Sequence, residues 1–274
     1  MDFQRSWRQS WPNVIAKRWR SGHLKDVTGL RKLAKEVVEH NSSILAQLKD
    51  PETYPELAHI SKLYEKITLY RDWTFSRKSS IRVPQSSDGR TDRLESDFSN
   101  LGLFLNKLRS YPITKRRIIE CLRDLYDGLT DFEVNIVSGG YLQILFTEGD
   151  YTISANRLSD GTLRYLCLLA ILLDPTPPPL ICIEEPELGL HPDILPKIVD
   201  LMKEASERTQ LVVTTHSDII IDALTDTPES VIVCEKHNGS TQMRRLNAEQ
   251  LAPWLENYRL GALWSNGEIG GNRW

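Results

Sequence analysis

At 274 residues, 40% apolar and 26% charged, the chain has the bulk for one large domain or two small ones and the balance of an ordinary globular protein, which excludes collagen-like, disulfide-scaffold and wholly disordered chains. Its formal net charge of −3 provides no global basic field for nucleic acid. The longest apolar run, Leu166 to Leu173, is far short of the roughly 20 residues of a membrane span, so no membrane partner is expected.

The N-terminal residues have no apolar core and no small-residue cleavage site, and do not read as a signal peptide. Between residues 1 and 35, nine basic residues (Arg5, Arg8, Lys17, Arg18, Arg20, Lys25, Arg31, Lys32 and Lys35) face only Asp2 and Asp26, with Trp7, Trp11 and Trp19 interleaved. Such a stretch can hold phosphates and stack bases, which keeps DNA as a partner. A solvated helix face over packed tryptophans has the same pattern and is the preferred reading. Leu30, Leu33, Val37, Val38, Ile44, Leu45 and Leu48 recur at helical spacing and predict one amphipathic helix that stops before Pro51.

Residues 84–97 are polar and predict a surface loop. Helices are expected near 98–109 and 114–127. Period-two alternation then takes over: Phe132, Val134 and Ile136, a Gly139-Gly140 break, and Leu142, Ile144 and Phe146 predict a β-hairpin, with a third short strand at 151–153. The run Leu163 to Leu173 is apolar nearly all round and predicts a buried helix, ended by the proline-rich stretch from Asp174 to Pro179. Three short apolar runs follow, at 180–183, 211–213 and 231–234, separated by helical stretches near 192–207 and 217–224. Strands apolar on both faces and alternating with helices predict a parallel sheet covered by helices. Cys121, Cys167, Cys182 and Cys234 form no C-x-x-C pair and read as reduced thiols of a cytoplasmic protein.

In such sheets functional groups gather at the carboxyl ends of the strands. Glu184 and Glu185 follow the first run, and His216 follows the second. Adjacent strand residues point to opposite faces, so the two acids cannot close on one bond as a glycosidase pair. One can hold a hydrated Mg²⁺ while its neighbour orients water against a phosphate; two solvated acids at a strand end are the plain alternative. Arg157-Leu-Ser-Asp-Gly-Thr162 places a serine and a glycine at a helix N-terminus, where free N–H groups and the helix dipole favour an anion. A simple helix cap is the alternative there.

Leu158-Ser-Asp-Gly-Thr162 resembles the signature motif of ABC-type ATPases, and Leu180-Ile-Cys-Ile-Glu-Glu185 resembles their Walker B strand. Glu187 to Pro192 resembles the D-loop, and His216 the switch histidine. The wording from Ile183 to Pro192, with Thr214-Thr-His-Ser217, is most similar to RecF/SMC-like predicted ATPases of the AAA type, the overcoming-lysogenization-defect and abortive-infection relatives, rather than to transporter subunits. Trp264 to Gly271 resembles the tail of that group.

The resemblance implies ATP and Mg²⁺ as cofactors and ATP hydrolysis as the activity. Glu184 would hold Mg²⁺ through water, Glu185 would be the general base or would position the attacking water, and His216 would contact the γ-phosphate. Ser159 and Gly161 would close over a nucleotide on a second ATPase head, with Asp160, Thr162, Gly189 and His191 completing the nucleotide-binding set. That head is either a second copy or a partner bearing the phosphate loop. Glu184 departs from the aspartate of most ABC proteins.

No glycine in the chain is followed by lysine, so G-x-x-x-x-G-K-[ST] occurs nowhere. The expected fold class is α/β: a P-loop NTPase-like parallel sheet with flanking helices, an incomplete N-terminal lobe, a helical segment and a β-hairpin. Residues 1–127 are expected to be a mainly helical segment between the missing loop and the signature motif, and 128–274 the C-terminal ATPase lobe. In this fold class the phosphate-loop strand lies between the strand ending at His216 and the strand at 231–234. Without it those strands gap or pair wrongly and expose apolar edges. Alone, the chain is expected to be inactive; a binding subunit completing a site in trans and a pseudo-ATPase scaffold are the alternatives. The biological setting, whether repair, chromosome handling or phage defence, is not readable.

Overall fold

The computed structural model describes residues 23–26, 29–32 and 43–271. Most of the basic, tryptophan-rich stretch lies outside these residues. The chain packs as two units, residues 1–66 and 67–274.

In the first unit, β1 (His23–Asp26) and β2 (Gly29–Lys32) form an antiparallel hairpin. Two helices follow, α1 (Ile44–Gln47) and α2 (Pro55–Tyr64). Pro55 opens α2, where its missing N–H costs nothing, and Ser61 Oγ donates to the Leu45 carbonyl at 3.0 Å. The single helix expected from Leu30 to Leu48 is therefore corrected. Leu30 lies in β2 and helix occupies only 44–47 of the described part, while Leu33, Val37 and Val38 lie outside it. A run of leucines and valines supports either structure, and cross-strand pairing decided for the strand.

In the second unit, β3 (Thr68–Tyr70), β8 (Leu180–Glu184) and β9 (Gln210–Thr214) form a parallel sheet in the order β3-β8-β9. The expected meander is present as β5 (Leu129–Val137), β6 (Tyr141–Glu148) and β7 (Tyr151–Ser154), with the short β4 (Gln85–Ser86) on the other edge of β6. The expected helices are α3 (Leu101–Leu108), α4 (Pro112–Leu125), α5 (Asp160–Leu172), α6 (Leu195–Ser206) and α7 (Asp218–Asp222). Every residue of α5 from Thr162 to Leu172 is buried, as its all-round apolar character requires. Residues 67–127 contribute Tyr70, Phe75, Phe98, Leu101 and Ile118 to the same core as α5, α6 and β8.

The mixed α/β architecture, with a parallel sheet and flanking helices, is present, with two corrections. First, the run at 231–234 does not join the parallel sheet. It lies in β10 (Ile232–His237), which pairs antiparallel with β11 (Ser240–Arg245). Asn238 (φ 49°) and Gly239 (φ 79°) make the turn, both left-handed as a two-residue hairpin demands. This hairpin, α7 and α9 (Leu260–Ser265), reached through α8 (Ala248–Leu255), share a separate small core of Ile221, Val233, Leu246, Leu260, Leu263 and Ile269.

Second, among the described residues only one face of the parallel sheet is covered. Ile181 and Ile183 enter the main core. The other face presents Leu69, Cys182 and Val212 side by side across the three strands, with Leu69 45% and Val212 47% exposed. Among the described residues β9 pairs only with β8, so the strands at 210–214 and 232–237 are not joined. No described helix is long and apolar enough to cross a membrane, and all four cysteines are free.

Candidate functional site

β8 and β9 run in register, Glu184 facing Thr214, so both strands deliver their following loops to one end of the sheet. Glu185 then turns into the left-handed region (φ 47°), at a cost of about 1–2 kcal/mol for a side chain with a Cβ. Its N–H donates to the Thr214 carbonyl at 2.9 Å, which carries the pairing one step past the strand. The turn leaves Glu184 exposed and Glu185 half-buried. Glu185 Oε1 lies 3.5 Å from His216 Nε2.

Glu187 holds this arrangement together. Its Oε1 accepts the Thr215 hydroxyl at 2.6 Å and the His216 N–H at 3.0 Å, while its Oε2 is buried without a hydrogen-bond partner. Burial, and next the adjacent Glu187 carboxylate, hold the Glu185 carboxyl above the ordinary carboxylate range; His216 pulls it the other way.

The signature segment caps α5. Ser159 Oγ accepts the Thr162 N–H at 3.0 Å and lies 2.8 Å from the Thr162 hydroxyl. Asp160 pairs with Arg82, whose guanidinium side chain is only 8% exposed. Arg82 also donates to the carbonyls of Phe75 (3.0 Å), Asn156 (3.0 Å) and Leu158 (2.7 Å), so it fixes the path of the chain into the motif. Gly161 packs directly on the carbonyl of Gly189, itself left-handed at φ 74°. His191 is exposed, and its Nδ1 accepts the Asp193 N–H at 3.3 Å, capping the turn before α6.

The expected residues thus form two groups. Glu184, Glu185 and His216 gather at the strand ends. Ser159, Asp160, Gly161 and Thr162 gather at the N-terminus of α5 and meet the loop at Gly189. His191 lies further along that loop with its ring in solvent. Sequence reading missed Trp73, Arg82 and Arg164, and took Glu187 only as the start of a loop. Trp73 donates its indole N–H to the Glu184 carbonyl at 2.7 Å. Arg164 is buried in α5 with its guanidinium 5.1 Å from the Trp73 ring centroid, and burial draws its pKa down. The available signal was an arginine inside an otherwise apolar helix.

A protein-family profile described as "AAA domain, putative AbiEii toxin, Type IV TA system" matches residues 23–222. The chain belongs to this family. It is similar to the Retron Ec83 probable ATPase of Escherichia coli, with 24% identity over 153 residues, 51% of this chain and 28% of the relative. The chain therefore spans little more than a quarter of the length of that relative. Solved structures similar to it include an Smc head bound to the C-winged helix domain of ScpA (18% identity, TM-score 0.49, 69% of this chain and 57% of that one). Another is the Pyrococcus furiosus Smc head with an extended coiled coil, bound to the C-terminal domain of ScpA (18% identity, TM-score 0.43, 59% and 44%).

Proposed function

We propose that the chain is the lobe of an ATP-hydrolysing head that carries the Walker B strand, the D-loop, the switch histidine and the signature motif. The observation that carries this reading is the convergence of Glu185 and His216, 3.5 Å apart, on the Glu187 bracket at the sheet's carboxyl end. Glu185 takes a proton from the attacking water and His216 steadies the γ-phosphate. Ser159, Gly161 and the positive end of α5 face the nucleotide of a second head, which splits the anion-binding groups across a dimer. Asp160, Thr162, Gly189 and His191 shape that surface.

When bound, Mg²⁺ neutralises charge developing on the transferred phosphate. Among the described residues no three His, Cys, Asp or Glu side chains converge as a metal cage. A single exposed carboxylate, Glu184, suits a cation held mainly by water and nucleotide oxygens.

Among the described residues one sheet face is uncovered and one side of β9 is unpaired, which supports a further strand–helix unit there, bringing the phosphate loop that the sequence lacks. All-parallel sheets are otherwise covered on both faces. The chain then hydrolyses ATP only when that unit is supplied, upstream in the same polypeptide or by a partner. The family description, a putative AbiEii toxin of a Type IV TA system, supports a role in defence over one in general repair.

Phosphate release from Mg-ATP tests the reading, using the chain alone and mixed with a phosphate-loop-bearing head. Release is expected only in the mixture, and Glu185→Gln abolishes it. Undiminished release with Glu185→Gln overturns the catalytic assignment. Nucleotide binding without release in any mixture would instead mark a non-catalytic subunit.

A further inference from the structure

β8 ends at Glu184 with unequal support on its two sides. Toward β9, the Glu185 N–H bonds Thr214 and extends the pairing. Toward β3, pairing stops at Tyr70 opposite Ile183, one residue short of Glu184. The chain then turns, and the Trp73 indole donates to the Glu184 carbonyl at 2.7 Å. A side-chain donor thus takes over where the backbone ladder ends, immediately before the left-handed Glu185.

Trp73 is itself held in place. Its ring stacks on Phe98 with centroids 5.3 Å apart. Arg164 engages it twice, with its guanidinium 5.1 Å from the ring centroid and its Nη2 donating to the Trp73 carbonyl at 3.3 Å. Arg164 is 8% exposed and lies five residues after Ser159, on the helix that Ser159 caps. Its Nη1 is buried with no hydrogen-bond partner, so the Trp73 carbonyl is a principal anchor for this side chain. A chain of direct contacts therefore runs from the signature helix through Arg164 and Trp73 to the backbone that aims Glu184 and Glu185.

We propose that Trp73 is a positioning residue. Gripped by Arg164, it fixes the Glu184 carbonyl and so sets the strained turn that places the two carboxylates. Its use in catalysis rests on the function proposed above; the positioning itself does not.

Trp73→Phe keeps an aromatic six-membered ring against Phe98 and Arg164 and removes the N–H donor with the pyrrole half of the indole. Amide hydrogen exchange of the full chain reads the turn directly. The Glu185 amide is expected to exchange up to about tenfold faster, the scale of one lost hydrogen bond. Amides within α5 stay protected, because every buried residue of that helix is unchanged. Trp73→His, which can present an imidazole N–H, restores part of the protection. Unchanged Glu185 exchange in Trp73→Phe overturns the proposal, as does a rise spread evenly over the whole unit.

In the mixture with a phosphate-loop-bearing head, Trp73→Phe is expected to lower kcat about tenfold with KM for ATP within about twofold. Wild-type kcat in Trp73→Phe, where Glu185→Gln is inactive, overturns the positioning role and leaves the ATPase reading standing. If no wild-type mixture hydrolyses ATP, the ATPase reading falls, and the exchange measurement still decides for or against Trp73.

Discussion

A β-carbon on Gly161 would lie 2.9 Å from the Gly189 carbonyl oxygen, so the start of α5 and the loop after β8 touch through bare backbone. The neighbour is a main-chain oxygen and cannot swing aside as a side chain would. Gly161→Ala must therefore part the two segments. The expected cost is about 1–3 kcal/mol, as for other overpacked sites. Urea unfolding of the full chain measures it as a lower midpoint with an unchanged slope. An unchanged midpoint would show that this approach is not needed for folding.

Arg82 is expected to matter more than its place beside a surface loop suggests. It serves three carbonyls and the Asp160 carboxylate from a buried position. Asp160 is exposed and regains water when the arginine is removed, so the loss falls mainly on the orphaned carbonyls. Arg82→Ala should cost about 2–4 kcal/mol, the scale of two part-buried acceptors left without donors. Arg82→Lys recovers only part, because an ammonium cannot span the same fork. Limited proteolysis should then cut first between residues 155 and 160; cleavage there at the wild-type rate would refute the clamp.

What the sequence revealed was local. The apolar run of α5, the acids closing β8 and the alternation of β5 and β6 each lie within a dozen residues, and each formed as expected. What it concealed depends on distant pairing. β3 is three residues long, and its place beside β8 is set by partners more than a hundred positions away. Trp73 and Arg82 act across 111 and 76 positions, where no periodicity reaches. The Asn238-Gly239 pair carries a short-range hairpin signal that the strand–helix–strand reading of the run at 231–234 does not use. Alternation also cannot tell a covered sheet face from a bare one, so Val212 reads as core and is 47% exposed.

That bare face makes a prediction about association. Leu69, Cys182 and Val212 form a continuous apolar row beside the unpaired side of β9. An edge of this kind recruits further strands. The isolated chain is expected to self-associate with rising concentration in sedimentation runs. Val212→Lys should reduce that association, since a charged edge resists pairing. A wild-type chain that stays monomeric over the whole range would refute the idea, and with it the support the bare face lends to a missing strand–helix unit.

The raised Glu185 carboxyl fixes the sign of the pH dependence. Its causes are burial first, then the adjacent Glu187 carboxylate. The folded chain holds this proton more tightly than the unfolded chain. The stability it contributes is therefore fullest below the ordinary glutamate value of about 4.3 and is lost as pH rises through the folded value. Glu185→Gln removes that slope, so the variant should gain on the wild type across this window and then hold a constant lead. Catalysis needs the deprotonated base, so the acid limb of phosphate release should lie above the ordinary glutamate range. Glu187→Gln still offers an oxygen to Thr215 and His216 but carries no charge, and should move that limb downward. A wild-type limb at the ordinary carboxylate position would remove Glu185 from the role of base, because the group measured would not be the one that burial and Glu187 have shifted.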